Sequence, residues 1–219
     1  MARASLFCRY DDPVPMPASP ISKLPPEKQR ALETDLNYLN TAEIKSFCKR
    51  HAIPYAIVVE TADGRRKKTA DDDRKGVMLE RVRHFLETGT VLAETCFRAA
   101  VVCFDPLPDK FGPDDRLFYG QYDKANPALI ALLKELTDGR FENGAIARIL
   151  ARKFWTNGEA PTFRQFAAAW LQARKERTGP NPEWAFLSDR ARGGAAPDWK
   201  KVRAAKAASV IRLLDEIAR

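Results

Sequence analysis

Four consecutive cations, Arg65-Arg66-Lys67-Lys68, follow an Asp63-Gly64 pair and precede three consecutive carboxylates, Asp71-Asp72-Asp73. The first run suits an anion, because closely spaced Lys and Arg neutralise phosphates and release their counterions. The second suits a cation, or the start of a helix, where carboxylates meet the positive end of the macrodipole. Metal-dependent hydrolysis needs carboxylates converging from separate elements, so the Asp run is expected to cap a helix. His51 and His84 show no Ser, Cys or carboxylate partner, and Gly139-x4-Gly144 lacks the Lys-Ser/Thr of a phosphate-binding loop. Cys8, Cys48, Cys96 and Cys103 show no C-x2-C spacing, which argues against zinc and against a disulfide framework. These residues predict no catalysis, no cofactor and no metal.

The elements that must position the cations are legible from periodicity and punctuation. Residues 11–26 carry six prolines and read as an extended arm. A short helix is expected over 26–39. A second is expected over 41–51, with Asn40 as cap, Glu43 as its capping-box partner, and Ile44, Phe47 and Cys48 on one apolar face. Ile53-Pro54 stops it. Tyr55–Thr61 is β-branched and aromatic, so residues 55–69 read as a β-hairpin turning at Asp63-Gly64. A helix over 71–89 follows, with Met78, Leu79, Val82, Phe85 and Leu86 inward and Gly89 at its end. Residues 90–125 are mixed, with a strand expected near Val101–Phe104. Helices are expected over 126–139, 142–155, 162–179, 182–191 and 198–219.

Two of these helices carry basic flanks beside their apolar faces. Lys45 and Lys49 lie four apart on the first, and Arg74 and Arg81 seven apart on the second. Packed together, such helices can present cations to a phosphate backbone; they are equally an ordinary amphipathic pair with solvated lysines. The basic hairpin likewise has two readings, phosphate contact or charge protection of an edge strand.

The paired helices resemble the SAP domain, a helix–extended loop–helix module of DNA- and chromatin-binding proteins. Ile44-Lys45 stands for its Leu-Lys, Ile53 for the closing apolar residue, Arg74-Lys75 for the basic pair, Met78-Leu79 for the apolar pair and Arg81-Val82 for Arg-Leu. Asp73 occupies the usual Gly position, and residues 55–72 sit where the family has a short loop. The resemblance implies DNA binding. Glu60, Asp63 and Lys67 faintly resemble a nuclease hairpin, a reading that requires the three side chains to converge on one site.

Phe154, Trp155, Phe163, Phe166 and Trp170 are interleaved with Arg148, Arg152, Lys153 and Arg164. Such a mixture can stack bases, but the helical spacing favours a core; Trp184, Phe186 and Trp199 are read the same way. The region resembles C-terminal domains of unknown function that accompany SAP-like segments in bacterial proteins. The net charge of +8 is unevenly spread: residues 1–139 hold 21 basic and 21 acidic side chains, residues 140–206 hold 14 and 6, and the last thirteen hold 2 and 2. A basic region suits a polyanion or simply a solvated surface.

These readings combine into a mainly α protein with minor β. A Pro-rich arm (1–25) precedes a SAP-like unit with an inserted hairpin (26–89), a mixed region (90–125) and a basic helical domain (126–219). No apolar run spans a membrane and no secretory signal is read, so a cytoplasmic location with reduced thiols is expected. The expected partner is DNA, held mainly by its phosphates through Lys45, Lys49, Arg65, Arg66, Lys67, Lys68, Arg74, Lys75 and Arg81. The alternative is a protein-interaction module using an aromatic surface around Trp155 and Trp170.

Overall fold

The structure, a computed structural model, describes residues 18–123, 125–176 and 198–217. Helices dominate, and a small sheet joins two hydrophobic cores. The first core is built by α1 (Pro26–Asp35), a 3-10 turn at Leu36–Tyr38, α2 (Thr41–Arg50), α3 (Lys75–Thr88) and α7 (Trp199–Ile217). The expected start of α2 holds in full. The Asn40 side chain accepts from the Glu43 amide at 2.9 Å, and Glu43 accepts from the Asn40 amide at 2.6 Å. Two otherwise orphaned donors are thereby satisfied. Ile44, Phe47 and Cys48 are buried against Met78, Leu79, Val82 and Leu86. Gly89 ends α3 with φ +70°, a left-handed conformation that favours glycine.

The sheet has the order β2-β1-β3, with β1 (Ala56–Glu60) between antiparallel β2 (Arg66–Asp72) and parallel β3 (Cys96–Phe97). The hairpin turns at Gly64, φ +77°, as its Asp-Gly signal requires. Ile57, Val59 and Phe97 point into the second core, with α4 (Pro127–Glu135), α5 (Ala145–Thr156) and α6 (Phe163–Glu176). The hairpin is thus the seam between the cores, its apolar strand facing one and its return strand at the sheet edge.

Four expectations change. Residues 71–72 belong to β2, and α3 begins at Lys75 with no side-chain cap; the three carboxylates are held by three different partners, described below. The strand expected at Val101–Phe104 is a 3-10 turn (Ala99–Val101) and a single bridge from Val102 to Tyr119. From Pro20 the arm is a packed 3-10 turn, because Ile21 and Leu24 insert into the first core. The last helix does not belong with its neighbours in sequence. Ala207, Val210, Leu213, Leu214 and Ile217 of α7 complete the first core, so residues 126–219 are divided between the two cores. Ion pairs flank that packing: Lys206–Asp35 at 2.9 Å, Arg50–Asp215 at 2.6 Å, Lys28–Glu216 at 2.7 Å, and Arg203 with Glu43. Part of the C-terminal basic surplus therefore answers acids on α1 and α2. The expected helix at 182–191, with Trp184 and Phe186, lies outside the described residues.

Candidate nucleic-acid interface

The helix pair spends much of its basic flank internally. Lys45 pairs with Asp72. Lys75 donates to the Asn37 carbonyl, and Arg74 donates to the Ala145 carbonyl at 3.4 Å. Arg81 is only 5% exposed. Its guanidinium is held by Asp73, by the Pro54 carbonyl at 2.9 Å and by the Thr95 hydroxyl at 2.9 Å. An Arg so enclosed cannot meet a phosphate on the surface, which corrects its placement among the contacts. The cause lies one residue before Arg74: Asp73 supplies the buried counter-charge that Arg81 requires. Lys49 remains exposed on α2.

The hairpin carries the accessible cations. Arg65, Arg66, Lys67 and Lys68 are all exposed. Arg65 pairs with Asp63 at the turn at 2.5 Å, and Arg66 with Glu94 at 3.3 Å. Exposed pairs like these are weakly held and screened by solvent, so either cation can exchange its partner for a phosphate. Tyr55 links the hairpin to α2: the Lys45 and Lys68 ammonium groups each lie 5.9 Å from its ring centroid. Lys67 stands opposite Val59 in the ladder. Directly opposed residues share a face, so Lys67 projects on the side of the second core.

There it lines a cleft of about 760 Å³ between β2, the 102–123 segment and α5. The cations Lys67, Lys68, Arg148 and Arg152 face the carboxylates Asp71 and Asp123, a surplus of two positive charges. Arg152 donates to the Asp72 carbonyl at 2.9 Å, tying α5 to the end of β2. The Tyr119 hydroxyl donates to Asp71 at 2.7 Å, and the Tyr122 hydroxyl to Asn143 at 2.7 Å. Burial pushes both phenols up to about 12; the Asp71 contact adds to the rise of Tyr119, while the Arg148 charge partly offsets that of Tyr122. Both therefore act near neutrality as hydrogen-bond donors and apolar surfaces, not as bases.

The aromatic wall continues from the core to the rim. Tyr119 lies 5.5 Å from Trp155 and 6.1 Å from Phe104, centroid to centroid, and Phe104 is 64% exposed. The Cys103 amide donates to the Tyr119 carbonyl, and the Tyr119 amide to the Val101 carbonyl, both at 2.9 Å. Gly120, φ +96°, allows this approach, since a Cβ there would overlap the Cys103 carbonyl and stand 2.9 Å from the Phe104 ring.

The two basic groupings expected separately, the hairpin and the Arg148/Arg152 helix, thus meet across one cleft. The aromatics expected beside those arginines are mostly core: Trp170 is 1% exposed, Phe163 and Phe166 are buried, Phe154 is half-buried, and Trp155, 4% exposed, shows only an edge to the cleft it helps to line. The alternative interaction surface around Trp155 and Trp170 is accordingly core. Sequence reasoning misses Phe104, Tyr119 and Tyr122, since they lie in the segment without periodicity; the Tyr-Gly-x-Tyr cluster at 119–122 is the one signal there. Among the described residues no three His, Cys, Asp or Glu side chains converge as metal ligands, and no described helix is long and apolar enough to cross a membrane. Asp71, Asp72 and Asp73 diverge to Tyr119, Lys45 and Arg81 respectively. No family model, curated protein or solved structure matches the chain.

Proposed function

We propose that the protein binds DNA without catalysis, mainly through the phosphate backbone, with the basic β-ribbon as its principal contact. The observation that carries this reading is the exposed Arg65–Lys68 run, from the hairpin turn into an edge strand, continued across the cleft by Arg148 and Arg152. Lys49 adds a further exposed cation on α2. Lys45, Arg74 and Lys75 contribute only where a phosphate competes with their internal partners, and Arg81 holds the fold. The SAP resemblance adds to this reading through the helix pair that supports the ribbon.

The test is fluorescence anisotropy with labelled duplex and single-stranded DNA at two salt concentrations, on the wild type and on a variant with Arg66, Lys67 and Lys68 changed to Gln. Affinity should fall steeply with salt. The variant should bind more weakly and flatten the salt slope by about 0.9 for each duplex phosphate it no longer neutralises. Unchanged binding in that variant removes the ribbon from the interface. The edge position gives the same charges a second role, since a charged edge resists pairing with another chain. Light scattering separates the two: aggregation without loss of DNA affinity in the variant would leave edge protection as the role of the run.

A further inference from the structure

We infer that the cleft between β2 and α5 receives an unpaired nucleotide of a bound strand, its base on Phe104 and its phosphates on Lys67, Lys68 and Arg148. The inference rests on the DNA-binding reading and names what the cleft adds to it. Three observations point to this ligand. First, the cleft combines cations with an aromatic rim, the pairing that holds single-stranded nucleic acid, where side chains stack on bases and a basic groove follows the backbone. Second, Phe104 is the most exposed large apolar side chain among the described residues, at 64%, yet it is not on a loosely tethered tip. The 101–103 and 119–121 segments are bonded to each other, the Gln121 side-chain Nε2 donates to the Cys103 sulfur at 3.1 Å, and Gly120 lets the Phe104 ring lie close against the backbone. A ring held in place at a cleft mouth loses little freedom on stacking. Third, the volume of about 760 Å³ is that of a small-ligand cleft.

A base pair inside a duplex offers neither face to Phe104, because both are stacked on its neighbours. An unpaired one does, and its flanking phosphates then reach the cations lining the same cleft. Tyr119 and Tyr122 supply the floor, and Asp123 at the rim supplies an acceptor for an exocyclic amine.

The test uses the full chain with a labelled blunt duplex and the same duplex bearing a short single-stranded tail that contains 2-aminopurine, whose emission is quenched by stacking. The tailed duplex should bind more tightly and its probe should be quenched. Phe104→Ala should weaken the tailed duplex by about 5- to 150-fold, the loss expected for one stacked base, relieve the quenching and leave the blunt duplex and the thermal transition unchanged. Phe104→Trp should restore both signals. A tail that adds no affinity while the blunt duplex still binds overturns this inference and leaves the DNA-binding reading intact; failure of both duplexes to bind removes the reading and the inference with it. Loss of blunt and tailed binding alike in Phe104→Ala also overturns it. Free deoxyadenosine monophosphate should leave the tail quenched, because it brings no neighbouring phosphates. Displacement of the tail by that nucleotide at matched concentration would overturn the inference by assigning the cleft to a free nucleotide instead.

Discussion

Removing Asp73 should unfold this protein at a markedly lower temperature, although it lies at a surface helix start in sequence. Asp73 and Arg81 are each 5% exposed and bonded to one another. In Asp73→Ala the guanidinium keeps the Pro54 carbonyl and the Thr95 hydroxyl but loses its carboxylate partner. Breaking a buried pair by deleting one member costs about 3–5 kcal/mol. At about 2–4 °C of melting temperature per kcal/mol for a chain of this size, the expected fall is about 6–20 °C. Arg81→Met should cost a comparable amount, by leaving the carboxylate uncompensated. The double variant Asp73→Ala/Arg81→Met should be well more stable than the sum of the two losses implies, with a coupling above about 1 kcal/mol, since it leaves no buried charge. Urea unfolding followed by circular dichroism measures all three. Singles that each cost under about 1 kcal/mol and add in the double would refute the argument, for the pair would then behave as a solvated surface pair. The double variant also tests the assignment of Arg81: it should bind DNA as the wild type does, and a loss of affinity with the fold intact would return Arg81 to the interface.

Leu214→Ala, on α7, should cost about 2–5 kcal/mol, because Leu214 is buried in the core shared with α1, α2 and α3; a loss under about 1 kcal/mol in urea would mean that α7 is not part of that core. Gly120→Ala should destabilise by more than about 3 kcal/mol, since left-handed strain of about 1–3 kcal/mol adds to overlap with the Cys103 carbonyl. Gly139→Ala, with φ +77° but open space around it, should cost about 1–2 kcal/mol, and equal losses at both positions would refute the close approach. His51 lies 4.3 Å from the Phe47 ring and 4.9 Å from the Phe85 ring, and burial, assisted by the Arg50 charge, lowers its pKa below the usual 6.5. Between the folded and unfolded values the unfolded chain binds more protons, so this contribution is present above pH 6.5 and is lost as pH falls through that window. His51→Phe should flatten the stability profile there, and an unchanged slope would show that another group sets it.

What the sequence made legible was local. The capping box at Asn40 and Glu43, the stop at Pro54, the Asp-Gly turn and the apolar faces of α2 and α3 are each specified by residues within a few positions of one another, and each is found where expected. The helix expected at 162 is likewise present: the Thr162 hydroxyl accepts from the Gln165 amide at 3.1 Å and the Gln165 side chain from the Thr162 amide at 2.9 Å. The failures involve partners distant in the chain. Nothing near α7 says that its apolar stripe completes a core begun nearly two hundred residues earlier, because an amphipathic face reveals only that it needs a partner.

The Asp71–Asp73 run shows why the candidate surface in particular resisted sequence reading. Three like charges in a row look like one feature, either a cation site or a helix cap. In a strand, successive side chains alternate between faces; here the ladder also shifts register between Ala56 and Val58, opposite this run, and the chain leaves the sheet at Asp73. Asp71 therefore reaches Tyr119 at the floor of the cleft, Asp72 turns to Lys45 on α2, and Asp73 enters the interior beneath Arg81. The same alternation separates Lys67, which projects into the cleft, from Lys68, which lines its edge and lies beside Tyr55. A basic run counted along the sequence thus overstates the charge available at any one place, while the cleft gains Arg148 and Arg152 from a helix about eighty residues away. Charge on this surface is assembled by strand register and by the contact of β2 with α5. The proposed capacity for a polyanion rests on that seam, so a substitution shifting the hairpin register by one residue should weaken DNA binding in the anisotropy assay as severely as neutralising the lysines themselves.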